Sequence, residues 1–231
     1  MGLGTVTIKA KDYQVFCECR LREWEWDSLQ HWKKLSAVPY GTKFPKLSEF
    51  KKWGSNTDWA SFAPAIKYAK SLVANPVDAP WLTMMGGVGT GKTMLMLAIY
   101  AQLRPYAVYL GAGDLTSAIF SSFGNGGETE ELTQELARAP VLLLDDYGVD
   151  TANRTIQNKI TQILDLRYRL RRYRPTVVAT NLNKSALTKA NARVASRLLD
   201  EDLAQVAEIM LGDHRRRSET KKQTVIDRSG K

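Results

Sequence analysis

The run Gly86-Gly87-Val88-Gly89-Thr90-Gly91-Lys92-Thr93 limits the possible folds of this chain more than any other stretch of it. It follows a compact apolar segment, Trp81 to Met85, and leads into a segment rich in Met, Leu and Ala, Thr93 to Leu103. A strand, a glycine-rich turn and a helix in that order form a P-loop. The glycines let backbone N–H groups converge on phosphate oxygens, and the helix N-terminus adds the positive end of its dipole. Lys92 is expected to reach the β and γ phosphates of ATP, and the Thr93 hydroxyl to ligate Mg²⁺. The competing reading is a glycine turn without a ligand. At ordinary glycine content the bare pattern arises in roughly one chain of this length in a hundred, and its place between strand and helix makes chance rarer still.

The residues beyond the P-loop repeat the strand–helix alternation. Apolar runs at Ala107–Leu110, Val141–Leu144, Thr176–Ala179 and Val206–Leu211 read as further strands. Val141 to Leu144 is apolar throughout, as suits a parallel strand covered on both faces. Between them lie helices: one capped by Asp114 and running to about Phe120, one over Glu128–Ala137, and a long one ending before Pro175. Ile156, Ile160, Ile163, Leu164 and Leu170 lay an apolar stripe along this last helix. Upstream, Phe50, Trp53, Trp59, Phe62, Ile66, Ala69 and Leu72 are spaced for helical segments between Ser48 and Ala74, which Pro76 and Pro80 end. The pattern predicts a three-layer α/β domain with a parallel five-stranded sheet ordered 5-1-4-3-2. Residues 1–45 read as an N-terminal extension, 46–217 as the α/β domain and 218–231 as a basic tail that frays.

A Mg²⁺–nucleotide site also needs carboxylates at the end of a neighbouring strand, and Asp145 and Asp146 supply them. Asp145 is the expected Mg²⁺ partner, often through water, because Mg²⁺ gives up its hydration reluctantly. Asp146 is placed to orient or deprotonate the attacking water. Two acids capping a loop would look the same in isolation, but a P-loop beside them favours the metal reading. Asn181 follows the fourth strand and would stand between the P-loop and the acidic strand. There a neutral amide can hold the lytic water or the γ-phosphate, although Asn also commonly ends strands in turns.

With 33 Lys and Arg against 24 Asp and Glu, the chain carries a net charge of +9, which favours an anionic partner such as nucleic acid over a merely solvated surface. No apolar run reaches the ~18 residues of a membrane span, and no basic-then-apolar leader opens the chain, so a cytoplasmic protein is expected. The two cysteines, Cys17 and Cys19, are too close for an ordinary structural disulfide, which fits a reducing compartment.

Taken together, these motifs resemble the AAA+ ATPases of the DnaC/DnaI helicase-loader type and their relatives, the IstB-type transposition helpers. The resemblance rests on Gly86 to Thr93, on Leu-Leu-Asp-Asp-Tyr-Gly ending at Gly148 and on Pro-Thr-Val-Val-Ala-Thr-Asn ending at Asn181. It rests also on Arg193-Val194-Ala195-Ser196-Arg197-Leu198 and on Gly212-Asp213-His214-Arg215, where similar proteins usually carry an aromatic in place of His214. It implies that Arg197 is a finger reaching the γ-phosphate of a neighbouring subunit, so that hydrolysis requires a homo-oligomer; Arg193 is the weaker candidate, and without the resemblance both would read as a solvated helix face. A planar, always-charged guanidinium suits the finger's task. The resemblance also implies a nucleotide-sensing role for Arg215. About twenty residues follow Leu211 in this sequence, so a minimal or absent helical lid is expected, as in many loader-type relatives.

Relatives often carry a zinc knuckle with two Cys pairs, and Cys17-Glu18-Cys19 looks like its second half. No Cys or His precedes it and His31 makes only three ligands where a closed zinc site takes four, so zinc is not expected. Trp24, Trp26 and Trp32 lie in a segment too small to bury them, which points to a protein partner. In loaders that partner is the replicative helicase. Arg167, Arg169, Arg171, Arg172 and Arg174 crowd the end of the long helix, serving either its dipole or phosphates of single-stranded DNA; Arg216, Arg217, Lys221 and Lys222 add to the second reading. Phe120 and Phe123 are expected in the core, with base stacking as the alternative. Three functions remain open at this point: a helicase loader in DNA replication, a transposition helper acting with a transposase, and a nucleotide-gated adaptor with negligible hydrolysis.

Overall fold

The computed structural model describes residues 4–8, 11–15, 31–50, 56–76, 79–104, 106–123, 128–148, 154–169 and 174–213. Two short strands, β1 (Gly4–Ile8) and β2 (Lys11–Val15), pair antiparallel near the N-terminus, a hairpin that the weak periodicity of the region does not announce. Helix α1 (Asn56–Ala74) follows, with Pro64 inside it, and then β3 (Trp81–Gly86) and α2 (Lys92–Leu103) on either side of the glycine turn. The remainder alternates as β4 (Ala107–Gly111), α3 (Ala112–Ser122), α4 (Glu128–Arg138), β5 (Val141–Tyr147) and α5 (Arg154–Arg169). It ends with β6 (Thr176–Thr180), α6 (Lys184–Ala190), α7 (Ala192–Leu198) and β7 (Ala204–Ile209).

Strands β3 to β7 form one parallel sheet in the spatial order β4-β5-β6-β3-β7, which is the expected 5-1-4-3-2 when the five are numbered in chain order. Side chains alternate across it with a period of two. Leu82 and Met84 face one layer with Phe62 and Leu72 of α1 and Leu95 and Ile99 of α2; Trp81 and Met85 face the other with Leu115, Leu136, Ile156, Ile160 and Leu198. Both faces of β3 to β6 are therefore covered, which is why these strands read as largely apolar runs, whereas the edge strand β7 exposes Gln205 and Glu208.

The boundaries differ from expectation in physically simple ways. β7 starts and ends two residues before the expected strand, because Ala204 pairs with Trp81 in the ladder and Leu211 is buried beyond the strand's end. Asp114 is not a cap: α3 begins two residues earlier, with Gly111 at the N-cap and Asp114 inside the first turn. In the segment read as helical from Ser48, the described residues before α1 hold a single 3-10 turn, Leu47–Glu49, and Trp53 lies outside the described residues.

Candidate functional site

The P-loop lies at the carboxyl end of β3, between the ends of β6 and β7. Two of its glycines are required by contacts. A Cβ on Gly86 would stand 2.5 Å from the Ile209 carbonyl oxygen, because β3 and β7 end side by side. Gly89, at φ 77°, lies in the left-handed region, and a Cβ there would meet the Asp213 carboxylate at 1.9 Å. The chain leaving β7 thus returns across the loop. Gly91 is the N-cap of α2 and offers no side-chain cap, so the first N–H groups of that helix are left to other acceptors. Thr90 is buried and donates to the Gly87 carbonyl at 3.0 Å, fixing the turn, while Gly87 and Val88 are exposed.

Lys92 is 5% exposed and fully engaged. Its ammonium donates to the carbonyls of Gly86 at 2.7 Å and Gly87 at 2.8 Å, to Asn181 Oδ1 at 2.9 Å and to Thr90 Oγ1 at 3.3 Å. Burial lowers its pKa from the usual lysine value, and the nearby charges of Asp146 and Asp145 oppose that shift. Asn181 stands where the sheet order puts it, between the P-loop and the acid pair, with its amide nitrogen 3.5 Å from Asp146 Oδ1.

The acid pair occupies a break in the β5–β6 ladder: Leu144 pairs with Val178 but Tyr147 with Thr180, leaving Asp145 and Asp146 opposite a single residue. Asp146 takes up this bulge at φ 53°, the one non-glycine residue with positive φ among the described residues. Aspartate tolerates this region better than most side chains, and such strain concentrates at functional sites. The bulge sends the two carboxylates to different environments. Asp146 is exposed, whereas Asp145 is 3% exposed and receives hydrogen bonds from Tyr109 Oη at 2.8 Å, from the Asp146 backbone N–H at 3.0 Å and from Thr93. Burial raises the Asp145 carboxyl above the ordinary carboxylate range, while the bonds from Tyr109 and Thr93 pull it back. Burial, and the Asp145 charge next, push the Tyr109 phenol strongly upward, so it remains a donor at neutral pH.

Thr93 and Asp145 supply hard oxygen donors side by side. Among the described residues no cluster of three or more His, Cys, Asp or Glu could hold a cation by itself. Such a donor set suits Mg²⁺, which keeps several waters and shares a substrate phosphate, better than a metal that needs an all-protein cage.

Other expected site residues lie elsewhere. Arg197 projects from α7, whose N-cap Asn191 accepts from Val194 N–H and donates to Thr161 of α5, and whose end is tied to the sheet by Thr83 Oγ1 donating to the Leu198 carbonyl at 2.7 Å. The Arg197 guanidinium pairs with Asp165 of α5 at 2.5 Å, donates to the Arg193 carbonyl at 2.7 Å and lies 5.3 Å over the Tyr168 ring. Arg193 takes the other oxygen of Asp165, also at 2.5 Å. Arg215, His214, Cys17, Cys19, Trp24, Trp26, Arg171, Arg172 and the basic tail lie outside the described residues.

Three expectations need correction. Arg167 is not available to phosphates: it is fully buried and donates to the carbonyls of Leu136, Ala137, Ala139 and Pro175 and to Thr176 Oγ1. It holds carbonyls that α4 leaves without helical partners. Burial lowers its pKa to about 9, still above neutrality, so it remains charged. The second correction concerns Phe120 and Phe123. They are not core residues but form an edge-to-face pair, 49% and 44% exposed, at the end of α3. Trp32, finally, is partly covered against the core, although its segment is small. Tyr109 and Asp165 were not read from the sequence. Neither belongs to a motif, and only the fold brings them to Asp145 and Arg197.

A parallel sheet in this order, with a P-loop after β3, between β6 and the edge strand β7, and an acid pair two strands away on β5, defines a nucleotide-binding domain of the AAA+ P-loop class. The chain belongs to the IstB-like ATP binding protein family, whose model matches residues 71–224. It is similar to the replicative helicase loader DnaC of Escherichia coli (strain K12), at 34% identity over 108 residues, 45% of this chain and 43% of that protein. The chain thus spans about half the length of the curated relatives it matches. Among solved structures, DnaI aligns with a TM-score of 0.60 at 22% identity, over 79% of this chain and 98% of that one. The replication initiator DnaA bound to AMPPCP and single-stranded DNA aligns at 0.62 and 21% identity, over 75% and 52%. At these identities the two structures speak for the fold alone.

Proposed function

We propose that this chain is a Mg²⁺-dependent ATPase that loads a replicative helicase during DNA replication in the cytoplasm. One observation carries the enzymatic part: Lys92, Asn181 and Asp146 meet at the P-loop while the bulge keeps Asp145 beside Thr93. Gly86 to Gly91 bind the phosphates through backbone N–H groups, and Lys92 exchanges its carbonyl partners for the β and γ phosphates. Thr93 and Asp145 hold Mg²⁺, which when bound neutralises phosphate charge. Asp146, exposed and free of the Tyr109 bond, orients or deprotonates the attacking water, and Asn181 holds that water or the γ-phosphate.

Arg197 acts in trans. Its partners Asp165, Arg193 and Tyr168 lie on α5 and α7 rather than at the P-loop of its own chain, which is what a finger serving a neighbouring subunit of a homo-oligomer requires. Arg215 senses nucleotide in cis; the contact between Asp213 and Gly89, two residues before it, supports this. Exposed Phe120 and Phe123 stack on bases of single-stranded DNA, and Arg169, exposed at the end of α5, meets its phosphates. Residues 1–45 grip the helicase, through Trp24 and Trp26. The DnaC relative favours this loader reading. The IstB-like family favours a second, in which the same switch serves a transposase on duplex DNA.

ATP turnover measured with and without single-stranded DNA and replicative helicase tests the proposal. Both additions are expected to change the rate, and Arg197→Ala to lower it about 100-fold or more while nucleotide binding survives. A rate untouched by Arg197→Ala would rule out the trans finger. Stimulation by a transposase and duplex DNA instead would select the second reading, and a rate of zero under all conditions would leave an adaptor.

A further inference from the structure

Asp145 is held by a group that no nucleotide-binding motif includes. Tyr109 stands on β4, the edge strand next to β5, where the parallel register sets it opposite Leu143 and sets Gly111 opposite Asp145. The phenol therefore reaches forward along the sheet to the carboxylate, and its hydroxyl donates to Oδ2 at 2.8 Å in a setting where Tyr109 is 6% and Asp145 3% exposed. The other oxygen, Oδ1, is occupied by the Asp146 backbone N–H.

The tyrosine is itself anchored from both sides. Its backbone N–H donates to Ser36 Oγ at 3.3 Å and its carbonyl accepts from the Ala37 N–H at 2.9 Å, so residues 36 and 37 run along the open edge of β4 at this position. Its ring packs against Tyr100 of α2, with centroids 6.1 Å apart. A ring fixed at backbone and face leaves the hydroxyl little freedom, and a carboxylate tied to it is held in one orientation.

We propose that Tyr109 is a positioning residue that orients Asp145 and thereby sets the affinity of the nucleotide site for its divalent cation. This rests on the reading of Asp145 as the Mg²⁺ carboxylate. Groups behind a metal ligand typically govern metal affinity by ~10–100-fold when removed. The tyrosine adds no ligand of its own. It fixes which way the carboxylate's free lone pairs point, so losing it costs the cation and not the phosphates.

The test is equilibrium binding of a fluorescent ATP analogue to the full chain, titrated with Mg²⁺ and repeated in EDTA, with Mn²⁺ binding followed by EPR. Tyr109→Phe removes only the hydroxyl and keeps the packed ring. The expected result is a Mg²⁺ midpoint raised about tenfold, weaker Mn²⁺ binding and an unchanged affinity in EDTA. An unchanged midpoint would overturn the proposal. So would a parallel fall in EDTA affinity and thermal midpoint, because that is the signature of a structural role. Asp145→Asn separates this failure from the failure of the underlying reading. If Asp145→Asn leaves the Mg²⁺ midpoint in place, Asp145 is not the cation's carboxylate and both ideas fall; if it abolishes the Mg²⁺ response and Tyr109→Phe does not move it, only Tyr109 is excluded.

Discussion

The phosphate cradle and the face formed by α5 and α7 hold their charged residues in opposite ways. In the cradle Lys92 is buried, bonded to loop carbonyls and Asn181, and stands at the place where it would act. On the other face Arg197 is paired to a carboxylate of its own chain and stacked on Tyr168, away from any phosphate-binding residue. On the reading of Arg197 as a trans finger, one half of the site is pre-organised and the other is held in reserve. Pre-organisation lowers the cost of binding. A reserve makes turnover depend on a second event, which on the proposed reading is the arrival of a neighbouring subunit.

The largest effects should come from the cradle. Lys92→Ala removes the only ammonium in the loop and should weaken ATP binding about 100-fold or more, read by titration of a fluorescent analogue. Asp146→Asn should leave binding within about twofold and lower hydrolysis by about 100-fold. Asparagine also accepts positive φ, so this substitution removes the carboxylate without disturbing the bulge. Were Asp146→Asn as damaging to binding as Lys92→Ala, the two residues would be one electrostatic unit, and the contrast between binding and chemistry within the cradle would disappear.

Next in size is a test of α5, which carries both kinds of residue. Arg167→Met should cost about 3 kcal/mol of stability, because several buried carbonyls of α4 and the segment before β6 lose their donor. The pH dependence has a definite sign. Burial holds the Arg167 pKa down at about 9 against an ordinary 12.5, so the folded state binds the proton less tightly than the unfolded one. The contribution from this group is full only above the unfolded value and is lost as pH falls through about 9. The gap between wild type and Arg167→Met in chemical unfolding should therefore widen between pH 9 and higher pH, and a constant gap would contradict the depressed pKa.

The same helix shows what a sequence can and cannot reveal. Four of the five runs announced the sheet because strands covered on both faces have few polar positions to hide them, while β7 at the edge exposes Gln205 and Glu208. The loop motifs announced the cradle because phosphate binding needs glycine and lysine at fixed spacing along one stretch of chain. Arg167 was hidden among neighbouring arginines, yet it stands four residues after Ile163 and three after Leu164, on the stripe that begins at Ile156. Its position on the apolar face was the available signal. No such signal exists for Tyr109 or Asp165. Each acts on a residue more than thirty positions away, and only the sheet register or the packing of α7 on α5 brings the partners together.

The smallest expected effect is the one that decides how the reserve works. Asp165→Asn keeps the shape of the side chain and a hydrogen-bond acceptor but removes the charge that Arg193 and Arg197 share. Arg193 is 63% exposed, so its half of the pair is screened by water, and the whole substitution should cost no more than about 1 kcal/mol in thermal or chemical unfolding. If Asp165 restrains the finger, its loss should raise ATP turnover per subunit by about two- to threefold at protein concentrations where subunits meet, since a coupling of under 1 kcal/mol is released. At concentrations too low for contact it should change nothing. Should Asp165→Asn instead lower turnover towards the level of Arg197→Ala, the carboxylate would be aiming the guanidinium, and both halves of the site would be pre-organised.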